Sequence, residues 1–572
     1  MNYSILLHTE NATHTLFDVS DIFTADGTRE TICGNIKVTA TFTKKNSTTL
    51  VSLVASSAGE AACYFSLYGK GEGTLYSFND KYEEEHILRQ SPHDYKNYHF
   101  KMDSSAIPMV AVCAETTEIF ISDNPAHCDN YTTQRILPQT GEFYLSSGDP
   151  GGSPNFNGEE FLPYFHAIGG GVTHEFRFIA FRRNAKTVKA IRRESFLAIE
   201  AVWGEGRDSI YRAMCFSGNY MHYRKNESGT SNYWIVAGIQ YGNCQYIRDS
   251  FYQTWILPAE MEAECYRAYT GKKAEEMEIY QAENPLLFLL WAYRVVKHGG
   301  TADKSLTDRS YEVMMQCMDK HGDGGYYPNC REDGSFRNWF DICRYEFDDV
   351  DSYSQGLCVC ALRAAKELGY DVGDYYEKAI RRYLSLYNGT FIPLSEKKPC
   401  LALDYSVGDL LHYMLFGTTF IPDEMVQATY RHIMASEAKT PHGTKVVAAA
   451  DGSYLPMEAF GAYGSVHPEM AQLDIGRYAN GGSYHVYEMF FHIAAHLHGV
   501  TEAVDNMIWR LFIDLDFDGA THEYMHTVRG FGAKANQGWN AAVYAIWDEL
   551  CERGVGDRRF FEAAEEKLHS IS

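Results

Sequence analysis

No stretch of this sequence is long and apolar enough to cross a bilayer. The longest apolar run, Pro285-Leu-Leu-Phe-Leu-Leu-Trp-Ala-Tyr293, is about half of what a membrane-spanning helix needs. Positive charge is scarce: 51 Lys and Arg stand against 75 Asp and Glu, a formal net charge of −24. Such a field repels phosphate backbones and anionic lipid, which argues against nucleic acid or a membrane surface as partner. The start, Met1-Asn-Tyr-Ser-Ile-Leu-Leu-His8, has no basic n-region, so no secretory signal is expected. The 14 Cys lack the paired spacing of zinc sites: Cys358 and Cys360 are two apart, while Cys113, Cys128, Cys317 and Cys330 stand alone. They are expected to be reduced, buried small hydrophobes in a cytoplasmic protein. A Gly-x-Ser-x-Gly nucleophile elbow, a His-Glu-x-x-His zinc motif and a fixed sequence repeat are all missing. Ile168-Gly-Gly-Gly-Val172 lies outside any strand-to-helix switch, so it is not read as a dinucleotide loop.

What remains is a globular composition, 45% hydrophobic and 22% charged, in 572 residues, too many for one ordinary core. Aromatics reach 14%, with 41 Tyr and 8 Trp. Side chains with an apolar body and a polar tip suit sugar-binding surfaces, and equally suit Tyr packed at domain joins. Up to about residue 180 the pattern is short alternating runs, such as Asn35-Ile-Lys-Val-Thr-Ala-Thr-Phe42, Thr49-Leu-Val-Ser-Leu-Val-Ala55 and Glu175-Phe-Arg-Phe-Ile-Ala-Phe181. Period-two alternation punctuated by turn residues predicts an antiparallel β-sandwich over 1–181. The basic stretch Arg182-Arg-Asn-Ala-Lys-Thr-Val-Lys-Ala-Ile-Arg-Arg193 has helical spacing and is read as a linker helix over 182–205, its charge either solvated or facing an anion.

Over 206–572 the period is helical, with helices expected near 207–218, 250–269, 283–297, 305–319, 351–368, 373–387, 405–416, 422–435, 482–498, 501–513, 534–553 and 557–570. Helices of similar length, joined by loops of uneven length and without a solenoid repeat, point to pairs closed into a ring.

Four segments crowd acidic, polar and aromatic residues at predicted helix starts: Gly242–Trp255, Arg337–Gln355, His467-Pro-Glu469 with Tyr478–Tyr484, and Ala520–His526 with Ala535–Ala542. In order and character they resemble the six-hairpin, (α/α)6-toroid glycosidases, chiefly the amylo-α-1,6-glucosidase (debranching) domain. They are also similar to the processing α-glucosidase, mannosylglycerate-hydrolase and trehalase families. The likeness covers about residues 230–550. Arg248-Asp249-Ser250-Phe251 matches the family's sugar-holding segment. Trp339-Phe340-Asp341, followed by Val350-Asp351 and Gly356–Leu362, matches the segment carrying the general acid. Asn480-Gly481-Gly482 fits the family's Asn-Gly turn. Glu523, ahead of Gln537-Gly538-Trp539-Asn540-Ala541-Ala542, fits the late general base.

The resemblance implies an inverting, exo-acting glycoside hydrolase, leaning to α-glucosides, that needs no cofactor or metal. Its general acid would be Asp341 and its general base Glu523. Tyr246, Arg248, Asp249, Trp339, Arg344, Asp351, Glu469, Asn480, Gly481, Gln537 and Trp539 would line the sugar site. The acid segment reads Trp-Phe-Asp-Ile-Cys where the family has Trp-Met-Asp-Ala or Gly-Met-Asp-Asn, which leaves the sugar open. The chemistry agrees: one carboxylic acid protonates the leaving oxygen, and one carboxylate on the opposite face activates water. Trp339 and Phe340 would desolvate Asp341 and keep it protonated. A homodimer is one possible assembly.

Alternatives stand beside each assignment. Asp249 rivals Asp341 as acid, and Glu469 rivals Glu523 as base. Asp349 and Asp351 fit helix caps as well as catalysis. Arg248 and Asp249 fit an interhelical ion pair, Trp539 a core residue, and Asn480-Gly-Gly a plain turn. A glycoside phosphorylase shares the sandwich-plus-toroid order, but Glu523 would repel its phosphate. A non-catalytic carbohydrate-binding protein on the same fold is the third reading. Asp319-Lys-His-Gly-Asp-Gly-Gly325 lacks calcium-loop spacing and is read as a turn. His485, His492, His496 and His498 are read as lining a helix rather than binding zinc.

Overall fold

A computed structural model of the chain describes residues 2–19, 21–77, 101–103, 109–122, 133–137, 140–148, 165–203, 220–225, 231–236, 246–257, 259–273, 282–328, 349–456, 475–535 and 537–570. Two antiparallel sheets form from the alternating first part. One orders the strands Thr13–Asp18, Asn2–Thr9, Ala61–Lys70, Glu142–Ser146, Thr133–Leu137 and Lys101–Asp103, with His166–Ile168 also on Ala61–Lys70. The other runs Gly27–Cys33, Ile36–Lys45, Thr48–Ser57, His174–Arg183, Thr117–Ser122, Met109–Cys113 and Thr74–Ser77. Ile5, Phe65, Leu67 and Phe143 of the first face Val38, Phe42, Leu53 and Phe178 of the second in one core. Phe120 joins the sheets, its ring 5.0 Å from Tyr3 and 5.4 Å from Phe143. Burying each such side chain contributes roughly 1.5–3 kcal/mol.

Strands His174–Arg183, Thr117–Ser122 and Met109–Cys113 of the second sheet are buried on both faces. Met109, Ile119, Ile121, Ile179 and Phe181 turn away from the sandwich core and pack with Ile191 and Ile199 of helix α1 (Val188–Trp203). That explains the unbroken apolar run Phe178-Ile-Ala-Phe181, which strict alternation does not. The basic side chains around α1 turn out to be a joint. Lys186 donates to the carbonyls of Ala114 and Glu115, Lys189 to that of Asp516, and Arg193 to that of His569. The last two lie at helix C-termini, where cations are favoured.

Twelve further helices follow among the described residues: α2 (Ile247–Gln253), α3 (Ala259–Lys273), α4 (Asn284–Lys297), α5 (Lys304–Asp319), α6 (Ser352–Glu367), α7 (Tyr375–Leu384), α8 (Val407–Phe416), α9 (Asp423–Ala435), α10 (His485–Leu497), α11 (Ala503–Asp518), α12 (Ala541–Glu552) and α13 (Arg559–Ser570). The even-numbered ones pack on each other in sequence, α2 on α4, α4 on α6, α6 on α8, α8 on α10, α10 on α12, and α12 back on α2. They are apolar nearly all round, as in α6, where Ser352 to Leu362 are buried without a break. Gly356 and Gly408 let α6 and α8 touch: a Cβ on Gly408 would fall on the Gly356 backbone. The odd-numbered helices are amphipathic, α7 burying only Ala379 and Tyr383.

Connections 298–303, 368–374, 417–422, 498–502 and 553–558, each from an even helix to the next, are short and force an antiparallel return. Connections 274–283, 320–351, 385–406, 436–484 and 519–540 are long. The even-numbered helices from α4 to α12 therefore all begin at the same end of the bundle.

The helix expected over 250–269 is two helices. Leu257 is extended and Pro258 follows, so the first stops and α3 starts afresh. The helix expected near 207–218 lies outside the described residues. A hairpin, Tyr220–Lys225 with Ser231–Val236, was not expected in this half. No described helix is long and apolar enough to cross a membrane.

Candidate active site

The first even-numbered helix, α2, opens with Tyr246 extended at its N-cap, then Arg248 and Asp249 in the first turn. A carboxyl there faces the positive end of the helix dipole. Asp249 is buried, and its Oδ1 accepts from Gln537 Nε2 at 3.2 Å, which joins the two ends of the helical half. Arg248 extends Nη1 to Glu283 Oε1 at 2.7 Å and Nη2 to Asp249 Oδ2 at 3.4 Å. Its guanidinium lies 5.1 Å from the Trp539 ring centroid. Tyr487 and Tyr484 approach the same indole at 5.6 and 6.2 Å, and Tyr353 lies 6.3 Å from Tyr487. The result is a wall of aromatic faces and hydroxyls around one guanidinium and several carboxyls.

Electrostatics set the proton here. Burial pushes the Asp249 carboxyl up to about 7; Arg248 pulls it down, and the charges of Glu523 and Glu283 push it up again. Near neutral pH Asp249 is therefore shared between its acid and carboxylate forms. Burial works against the charge on Arg248, but Glu283 and Asp249 hold it well above the usual arginine range. Burial also raises the Tyr252, Tyr353 and Tyr487 phenols, so all three stay neutral.

Glu523 is buried on a short strand. His522–Met525 pairs with Ser483–Tyr484 on one side and Gly532–Ala535 on the other. Its charge acts on Asp249, and Gln537, later in the same stretch, donates to Asp249 Oδ1 at 3.2 Å. The turn before Ser483 is built tightly. Tyr478 sits at φ 48° and Gly481 at φ 81°, and Gly482 N–H donates to Tyr478 C=O at 2.7 Å. A left-handed tyrosine is strained backbone, held here by its ring contacts with Tyr484 and Tyr524. Thr527 Oγ1 donates to Gly481 C=O at 2.6 Å, tying the Asn480-Gly481 turn to the segment after Glu523.

No protein-family model matches the chain, and no curated protein sequence matches it. Among solved structures it is similar to a GH63 mannosylglycerate hydrolase from Thermus thermophilus in complex with Tris and D-glycerate. That match has 11% identity and a TM-score of 0.38, over 59% of this chain and 99% of that one. A bacterial glucoamylase complexed with acarbose matches at 8% identity and TM-score 0.39, over 99% and 90% of the two chains. An unsaturated glucuronyl hydrolase specific for heparin matches at 10% identity and TM-score 0.34, over 60% and 95%. At such low TM-scores these likenesses carry no argument, and the functional reading rests on the residues.

The structure thus brings Arg248, Asp249, Gln537 and Trp539 into contact, and the charge of Glu523 acts on Asp249. Asp351 caps α6, its side chain accepting from Ser354 N–H at 2.8 Å. Asp349 accepts from Ser395 Oγ at 2.7 Å and Lys397 N–H at 3.1 Å. Asp341, Trp339, Arg344 and Glu469 lie outside the described residues. Asp323 accepts from Gly325 N–H and Tyr327 OH within the 319–325 turn. His485 pairs with Asp514, His492 with Tyr430, His496 with the Val555 carbonyl, and His498 with Asp409 and Asp423. Among the described residues no group of three or more His, Cys, Asp and Glu could hold a metal ion.

Sequence reasoning missed Glu283, Asp404, Tyr252, Tyr353 and Tyr487. Glu283 precedes α4 directly, and Asp404 lies in the 3-10 turn leading into α8, where its charge acts on Tyr487. An acidic residue at or just before the start of α2, α4, α6 and α8 was the available signal, since Asp249 and Asp351 share that placement.

Proposed function

We propose that the protein is an inverting, exo-acting glycoside hydrolase whose general base is Glu523, leaning to α-glucosides. The observation that carries this reading is the pair of buried carboxyls Asp249 and Glu523. They come from opposite ends of the helical half; Asp249 pairs with Arg248, which lies against Trp539, and the charge of Glu523 acts on Asp249. Neutral phenols, an indole and a guanidinium fork suit the apolar faces and fixed hydroxyls of a sugar. Glu523 takes a proton from water while an acid across the sugar protonates the leaving oxygen. The cycle of even-numbered helices supports an (α/α)6 toroid over 206–572, with the sandwich at 1–181 joined through 182–205. The mouth lies where the long connections meet. No cofactor enters this mechanism.

Asp341 is the general acid by its motif, which leaves Arg248 and Asp249 to hold sugar hydroxyls. A second reading makes Asp249 the acid, and its carboxyl at about 7 favours it, since an acid must hold its proton at working pH. A glycosyl fluoride separates the two, because fluoride leaves without protonation but water still needs a base. Wild type, Asp341→Asn, Asp249→Asn and Glu523→Gln are assayed on alkyl glycosides, whose poor leaving group needs the acid, and on glycosyl fluorides, α-D-glucosyl first. Glu523→Gln loses about 10²–10⁴-fold on both. The variant of the true acid recovers on the fluoride, and the variant of a binding residue loses equally on both. Full activity in Glu523→Gln contradicts the proposal. Turnover only with added inorganic phosphate replaces it with phosphorolysis.

A further inference from the structure

Behind the strand that carries Glu523 lies a sealed ionic cluster. His485, Glu488, Arg510, Asp514 and His522 are each no more than 1% exposed. Arg510, on the odd-numbered helix α11, donates from Nε to Glu488 Oε2 and from Nη1 to Asp514 Oδ2, both at 2.8 Å. Its Nη2 reaches the Ser483 carbonyl at 3.2 Å. Asp514 also meets His485 Nδ1 at 2.7 Å and His522 Nδ1 at 3.0 Å. A ring nitrogen facing an ionised carboxylate carries the proton, so Asp514 takes three donors at once. Glu488 accepts from Thr444 N–H at 2.8 Å and Ser483 Oγ at 2.6 Å.

Sealing this many charges is a poor route to stability, because apolar residues of similar volume would serve as well. Its geometry is informative: both Ser483–Tyr484 and His522–Met525 are tied to α11. From the opposite side Asn540 Nδ2 donates to the His522 carbonyl at 2.9 Å. His522 is thus gripped by its ring and by its carbonyl, and the next residue is Glu523.

We propose that Asp514 is a positioning residue for Glu523: through the His522 imidazole it fixes the strand His522–Met525, and with it the direction in which Glu523 presents its carboxylate to the attacking water. This rests on Glu523 acting as base. In Asp514→Asn the amide oxygen can keep Arg510 Nη1 and His485 Nδ1, while the amide NH2 then meets the His522 Nδ1 donor, so the grip on His522 is lost while the volume is kept. Misorienting a catalytic group by a fraction of an ångström to one ångström costs about 10–100-fold in rate.

The test uses the full chain, with the alkyl glycoside and the glycosyl fluoride that the wild type cleaves fastest. Asp514→Asn is expected to lower kcat about 10–100-fold on both substrates with KM nearly unchanged, because the fluoride bypasses the acid but not the base. In a Glu523→Gln background the same substitution is expected to cost nothing further, whereas a merely structural role costs the same in either background. Asn540→Ala, releasing the other side of His522, gives a smaller loss that Glu523→Gln again absorbs. It keeps the test decisive should Asp514→Asn fail to fold. Wild-type kcat in both variants, or losses that multiply with that of Glu523→Gln, overturn the proposal while leaving Glu523 as base. Wild-type kcat in Glu523→Gln alone overturns the base assignment instead.

Discussion

Replacing Asp249 by Asn separates a functional carboxyl from a structural ion pair through stability alone. The carboxyl titrates at about 7 in the fold against 3.8 ordinarily, so the folded protein binds this proton more tightly than the unfolded chain. Stability from this group is fully present below about pH 4 and is lost as the pH rises through 7. At about 1.4 kcal/mol per pH unit, the loss reaches on the order of 4 kcal/mol above pH 7, and the attraction of Arg248 is already included in it. An asparagine pays no such cost and can still accept from Gln537. Asp249→Asn is therefore expected to match the wild type near pH 4 and to be more stable by up to ~4 kcal/mol near pH 8.5. Urea midpoints followed by circular dichroism at four pH values from 4 to 9 measure the difference. Its activity should fall over the same range, the usual relation between a destabilised functional group and catalysis. A variant less stable than the wild type at pH 8.5, or a difference independent of pH, refutes the reasoning and returns Asp249 to the role of an ion-pair partner.

Three further outcomes follow from the same structure. Arg248→Met strands Glu283 and Asp249 without their shared cation and should cost about 3–5 kcal/mol at pH 8, read from urea midpoints. The penalty should shrink toward pH 5 as the carboxyls take up protons. Gly408→Ala drives a methyl into the Gly356 backbone and should lower stability by about 1–3 kcal/mol, whereas Gly59→Ala, with open space around it, should change little. Trp539→Ala removes the ring beneath Arg248 and beside Tyr484 and Tyr487, and should raise KM for glycosides at least about tenfold.

Much of the fold was legible because burial imposes a period on sequence. Ile36–Lys45 alternates since one face meets the core, and Ile247–Gln253 onward changes to helical spacing. Where two constraints overlap, the reading slipped. Residues 250–269 keep an apolar rhythm through Trp255-Ile256-Leu257, and Pro258 marks the break that the rhythm hides. His522-Glu-Tyr-Met525 is too short to display alternation, so the pattern predicts no strand there. The expected starts near 482 and 534 absorbed Ser483–Tyr484 and Gly532–Ala535 for the same reason. Motif order points to Arg248, Asp249, Gln537 and Trp539, which the fold brings into contact, and to Glu523, whose charge acts on Asp249. Glu283 and Asp404 carry no motif; only the meeting of helix starts at one end of the bundle reveals them. The Asp514 cluster was wholly hidden, since nothing in sequence links His485, Asp514 and His522 before the chain folds.

The most direct test is proton NMR of the first sugar released from the glycoside that the protein cleaves. With one carboxyl protonating the leaving oxygen and Glu523 activating water from the opposite face, the first-formed product must carry the anomeric configuration opposite to that of the substrate. Initial release of the same anomer, or no bond cleaved across α- and β-glycosides, contradicts the account.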